Sequence, residues 1–82
     1  MSVHREYKGF ELHAHVSESP RGGYVPSVTL TRHNAVNVAE RKFDLPVKAP
    51  IPDKNKALDI AMRYGCDLVD GQIPGFDARA ML

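Results

Sequence analysis

Hydrophobic and polar positions alternate most cleanly between Phe10 and Ser17: Phe10, Leu12, Ala14 and Val16 fall on one side, Glu11, His13, His15 and Ser17 on the other. A period of two over this length predicts a half-buried strand. Ser19, Pro20, Arg21, Gly22 and Gly23 interrupt it as a hairpin loop, since these residues favour turn conformations. Tyr24 to His33 then resumes the alternation, with Pro26, Val28 and Leu30 on one face and Val25, Ser27, Thr29, Thr31 and His33 on the other. Pro26 lacks a ladder donor and is expected near the loop end or at a bulge. After a turn over residues 33–37, a third strand is expected from Val38 to Leu45. Ala39, Phe43 and Leu45 face inward there, but Arg41 shares their parity, a conflict that a bulge would resolve.

The period changes to that of a helix between Asp53 and Gly71. Leu58, Ala61, Gly65, Leu68 and Val69 form an apolar face, opposite a stripe of Lys56, Asp59, Arg63, Asp67 and Asp70. Three-and-four spacing of this kind marks an amphipathic helix. Asp59–Arg63 and Arg63–Asp67 are opposite charges four apart, each pair worth about 0.3–0.5 kcal/mol. Asp53 is the expected N-cap and Gly71 the expected stop. Gly65, in the middle of the apolar face, costs about 1 kcal/mol of helix propensity, so its presence predicts close approach to a flat partner. Pro46, Pro50 and Pro52 hold the preceding connection extended.

Together these elements predict an α+β domain: a three-stranded antiparallel meander packed on one face by a single C-terminal helix. Residues 1–6 are expected to be loose, 10–45 to form the sheet, 46–52 the proline-rich connection, 53–71 the helix and 72–82 a tail. Gln72–Gly75 is a turn in this reading, and Phe76–Leu82 a last helical turn capped by Asp77. The sheet face away from the helix then carries Glu11, His13, His15, Ser17, Val25, Ser27, Thr29, Thr31 and His33, and is the first place to look for function.

Composition narrows the function classes. Eighty-two residues suit one domain, a length that leaves little room for two cores. A net charge of +1 gives no bulk attraction to nucleic acid or to acidic partners. A single cysteine, Cys66, excludes an internal disulfide. No apolar run reaches signal-peptide length or the ~18 residues that suggest a membrane span, so a cytoplasmic location is expected. Neither a nucleophile motif nor a phosphate-binding signature surrounds Ser17, Ser19 or Ser27. The expectation is a protein that is not an enzyme and uses no cofactor.

Three sets of residues are candidates for chemistry. His13 and His15 form an H-x-H on one strand face, and with His33 on the neighbouring strand are candidate metal ligands or pH-responsive groups; solvated surface histidines are the plainer alternative. Lys48, Lys54 and Lys56 crowd the helix start, where free backbone N–H groups favour an anion. With Arg21 of the SPRGG loop they form a candidate phosphate or nucleic-acid site. Against a base-stacking platform, the chain has three Phe, three Tyr and no Trp. Finally, Val25, Thr29, Tyr64 and Phe76 are candidates for an interaction surface, and a homodimer is the partner most in keeping with an open sheet face.

In length and layout, with ALDIAMRYGCDLVDG as the closing helix, the chain resembles small uncharacterised proteobacterial proteins of β-β-β-α type, a resemblance that implies the fold and no activity. Lys54, Lys56 and Ala57 in DKNKALDIA resemble the helix start of double-stranded-RNA-binding domains, which also carry a helix before their first strand, where this chain has about six mostly polar residues. GYVPS is similar to the second strand of HicB-type antitoxins, whose DNA-binding segment has no counterpart here. These likenesses imply, as an alternative function, weak binding of nucleic-acid phosphate.

Overall fold

A computed structural model of the protein describes residues 2–33 and 38–76. It is an α+β fold in which β1 (Ser2–Tyr7), β2 (Phe10–Glu18), β3 (Tyr24–His33) and β4 (Val38–Asp44) form one antiparallel sheet in sequential order, followed by α1 (Lys54–Val69). The sheet therefore has four strands rather than three, and the segment expected to be loose is its first edge strand. Val3, Arg5 and Tyr7 pair with Ala14, Leu12 and Phe10, while His4 and Glu6 pair with His13 and Glu11. The alternation is present, but its inward positions include an arginine and its outward ones a histidine and a glutamate, so hydrophobicity does not reveal it. Lys8 and Gly9 make the two-residue turn, with φ of 48° and 85°. Positive φ at both central positions gives the turn whose twist matches a hairpin, and lysine is not among the residues that normally announce it.

The register of β2 with β3 follows the expected faces from Glu11↔Thr31 to Glu18↔Tyr24. Between β3 and β4 the pairing runs without interruption from Ser27↔Asp44 to His33↔Val38, so the expected bulge is absent among the described residues. Arg41 stays in register on the helix side, opposite Leu30, and lays its guanidinium 5.8 Å from the ring centres of both Phe43 and Phe76. An arginine can occupy an inward position at a sheet rim because its stem is apolar and its planar head stacks on aromatic faces. Pro26 is fully buried opposite Val16. Its carbonyl accepts from Leu45 N–H, so its ring nitrogen also points away from β2 and no bond of that ladder is lost.

The core lies between one sheet face and the helix. Phe10, Leu12 and Ala14 of β2, Val28 and Leu30 of β3, and Leu45 meet Leu58, Ala61 and Leu68 of α1. Gly65 sits where the helix comes closest: a Cβ there would stand 2.9 Å from Val28 Cγ2 and 3.4 Å from Leu12 Cδ1. The helix begins as expected, with the Asp53 carboxylate accepting from Asn55 and Lys56 N–H at 2.9 and 3.2 Å. It ends at Asp70 with Gly71 at φ 77°. Gln72 N–H bonds to Asp67 O and Gly71 N–H to Leu68 O, the double closure of a Schellman motif. Asp59, Arg63 and Asp67 form no ion pair among the described residues; the helix's ion pair is made by Asp70, with Lys8. Phe76 is not helical, and the rest of the expected terminal turn lies outside the described residues, as does most of the turn at 33–37.

Candidate functional site

Strand pairing decides which side chains share the face away from the helix. His4 stands directly opposite His13, Glu6 opposite Glu11, His15 opposite Ser27, and Thr29 opposite both His13 and Lys42. The three imidazoles form a row: the His4 and His13 rings lie 5.6 Å apart at 24°, and His13 and His15 6.4 Å apart at 12°. Glu11 ties the row to the next strand. One carboxylate oxygen is 3.0 Å from His13 Nε2 and the other 3.3 Å from His33 Nε2. These groups are half in water; the side chains of His13 and Glu11 retain 34% and 32% exposure.

The expected metal set of His13, His15 and His33 is thus only partly assembled. Glu11 pairs with Thr31, so His33 lies beyond Glu11 along the face while His15 lies on the opposite side of His13. His4, which joins the row, lies in the segment expected to be loose; the signal that finds it is the parity it shares with Glu6. Among the described residues, no three His, Cys, Asp or Glu side chains converge as they stand on a point that would hold a metal ion.

Phe10, Phe43, Phe76, Tyr7 and Tyr64 take the opposite side. Phe10 belongs to the core, Phe43 and Phe76 meet edge to face at 4.9 Å, and Tyr7 bonds to the helix end. Among the described residues, the rings that the helix-free face offers to a stacked base are therefore its imidazoles. The interaction candidates are divided in the same way. Val25 and Thr29 lie on the helix-free face, half-buried, whereas Tyr64 and Phe76 pack against the core from the helix side.

The loop and the connection that carry the basic candidates meet through their backbones. Tyr24 and Ile51 exchange two backbone hydrogen bonds of 2.8 Å, and Gly23 is so close to Pro50 that a Cβ would fall 2.9 Å from its ring. The loop bearing Arg21 is thereby held against the connection that bears Lys48 and leads to Lys54 and Lys56. The amides of Asn55 and Lys56, however, already serve the Asp53 carboxylate. An anion here would have to displace an internal one or rely on the lysine and arginine side chains.

At the other end of the helix, Asp70 accepts from Tyr7 Oη at 2.8 Å and from Lys8 Nζ. The Lys8 and Tyr7 hydrogen bonds hold the Asp70 carboxyl below its usual range, and bonding to Asp70 raises both Lys8 and Tyr7. This contact latches the β1–β2 turn to the helix cap. Cys66 is half-buried, and burial pushes its thiol up, which disfavours the reactive thiolate. No helix among the described residues is long and apolar enough to cross a membrane. Comparison with protein-family models, characterised proteins and solved structures finds no match.

Proposed function

We propose that the protein is a non-enzymatic binding module that works through the helix-free face of its sheet, with a second copy of itself as the first partner. The observation that carries this reading is the one-sided cladding of the sheet. The helix covers the apolar face, while the other presents a level array of His4, His13, His15, Val25, Thr29 and Lys42. On that face Ser27 and Thr31 are already 6% exposed within a single chain. Side chains held this close to the sheet offer a flat, mixed surface suited to a protein partner. The test is sedimentation over a wide concentration range in EDTA-containing buffer, with Thr29→Arg placed at the centre of the face. The reading requires a species heavier than the monomer that Thr29→Arg abolishes; a monomer at all concentrations, or an oligomer indifferent to the substitution, removes it.

A second reading, weak binding of nucleic-acid phosphate, draws on the contact of the Arg21 loop with Pro50 and Ile51, in the connection that carries Lys48 and leads to Lys54 and Lys56. It requires affinity for duplex RNA that falls steeply with salt and is lost when Lys48, Lys54 and Lys56 are reversed to Glu.

A further inference from the structure

We propose that His4 and His13 together form a site for one divalent transition-metal ion of the zinc, nickel or copper class, seated on the helix-free face between the edge strand and its neighbour. The inference deepens the reading of that face as the working surface and rests on its being accessible in the single chain.

Directly opposed residues on an antiparallel pair have Cβ atoms about 4.5–5.5 Å apart, and the two rings already face each other at 5.6 Å. A metal ion bound by imidazole stands about 2.0–2.1 Å from each nitrogen. Side-chain rotation alone brings two rings on such a rung to one ion, with no change in strand register. The environment of His13 fits this role. Its Nε2 is 3.0 Å from Glu11 Oε1, and a carboxylate accepting that ring N–H leaves Nδ1 as the free lone pair. Histidines that ligate metals almost always donate their second ring N–H to such a partner, which fixes the tautomer and strengthens the ligand.

The adjoining rungs supply what a two-imidazole site lacks. His15 lies 6.4 Å from His13 on one side, and Glu6 opposes Glu11 on the other. Like charges directly opposite across a strand pair destabilise it, so a cation beside Glu6 and Glu11 relieves a repulsion built into the sheet. Since no three ligands converge among the described residues, the ion binds first to the His4–His13 pair with water completing its shell. An imidazole-led set favours zinc, nickel or copper over magnesium or calcium.

The probe is Zn²⁺ alone, titrated into metal-free protein while the imidazole resonances and the melting temperature are followed. The expected result is saturation at one ion per chain, with the His4 and His13 signals moving together and the melting temperature rising. His4→Ala and His13→Ala each weaken binding at least tenfold and remove the thermal shift, Glu11→Gln weakens it to a smaller extent, and a tenfold excess of Mg²⁺ does not compete. Failure of Zn²⁺ to bind, unsaturating shifts of all the histidines in parallel, or affinity unchanged in His4→Ala or His13→Ala overturns the proposal. Because self-association is measured in EDTA, loss of the metal site leaves that reading standing, and a monomeric protein that binds Zn²⁺ leaves the metal site standing.

Discussion

The two faces of one sheet are built to different rules, though the same strands supply both, residue by alternate residue. On the helix side Leu12, Ala14, Val28 and Leu30 have no exposed surface at all, and Gly65 lets the helix close on them. On the other side the same strands carry His13, His15, Thr29 and Glu11, each keeping part of its surface in water. One face is built for burial; the other carries charge, hydrogen-bonding groups and imidazoles. Stability should therefore be concentrated on one face and binding on the other.

The strongest way to break that division is to substitute each face at one rung. Leu12→Ala leaves a cavity beneath the helix and should cost about 2–5 kcal/mol in denaturant unfolding. Thr29→Ala, on the helix-free face, should cost less than about 1 kcal/mol, within the span of strand propensities. Comparable losses at the two positions would show that the open face is also a stability element, as it would be if a second copy were needed for folding.

Next in size is Gly65→Ala. On an isolated helix the change would gain about 1 kcal/mol. Here the new methyl meets Val28 Cγ2 at 2.9 Å, a branched side chain fixed in the core, and overpacking of this kind costs about 1–3 kcal/mol. A net loss in urea unfolding sharpens the contrast, because the restriction comes from the helix closing on Val28 and Leu12 of the apolar face. Asp53→Ala follows, with a loss of about 1 kcal/mol for the cap that bonds Asn55 and Lys56. It also frees those two amides, so the same variant should raise affinity for inorganic phosphate if the basic end binds anions.

How much of this was legible in the chain depended on whether a face was apolar. The strands at 10–17 and 24–33, the helix, both of its caps and the close approach at Gly65 all follow from periodicity and from residues with fixed conformational uses. The first strand does not, because Val3, Arg5 and Tyr7 form an inward row that is not hydrophobic and Lys8–Gly9 is an uncommon hairpin turn. Missing that strand also concealed His4 and Glu6, half of the array facing His13 and Glu11. Arg41 misled for the opposite reason. Its charge suggested a break in register, whereas its stem and guanidinium pack against Phe43 and Phe76. The His13–Glu11–His33 connection depends on cross-strand register, which no single stretch of sequence contains.

The smallest expected effect lies where the two faces share a support, at the latch of Tyr7, Lys8 and Asp70. Asp70 is bound more tightly as a carboxylate in the folded chain than in the unfolded one, since Lys8 and Tyr7 lower its affinity for protons. Its contribution is therefore fully present above the unfolded value, about 3.9 for an aspartate, and fades as pH falls through the lower folded value. Lys8 is raised by the same bond, so its contribution holds below about 10.4 and is lost as pH climbs through the folded value. Asp70→Asn should therefore lower stability between those two values, only slightly because the groups are exposed and solvent screens the pair, and should change it least at either extreme, so that the stability–pH curve becomes flatter. Hydrogen exchange is the more sensitive measure. The amides of β1 should exchange faster in Asp70→Asn than in the parent, and those of β2 and β3 at the same rate, since β1 is an edge strand tied to the helix end by this contact and the interior strands are held by the core. If β1 protection is unchanged, the strand is held by pairing with β2 alone, and the His4–His13 rung keeps its geometry without help from the helix.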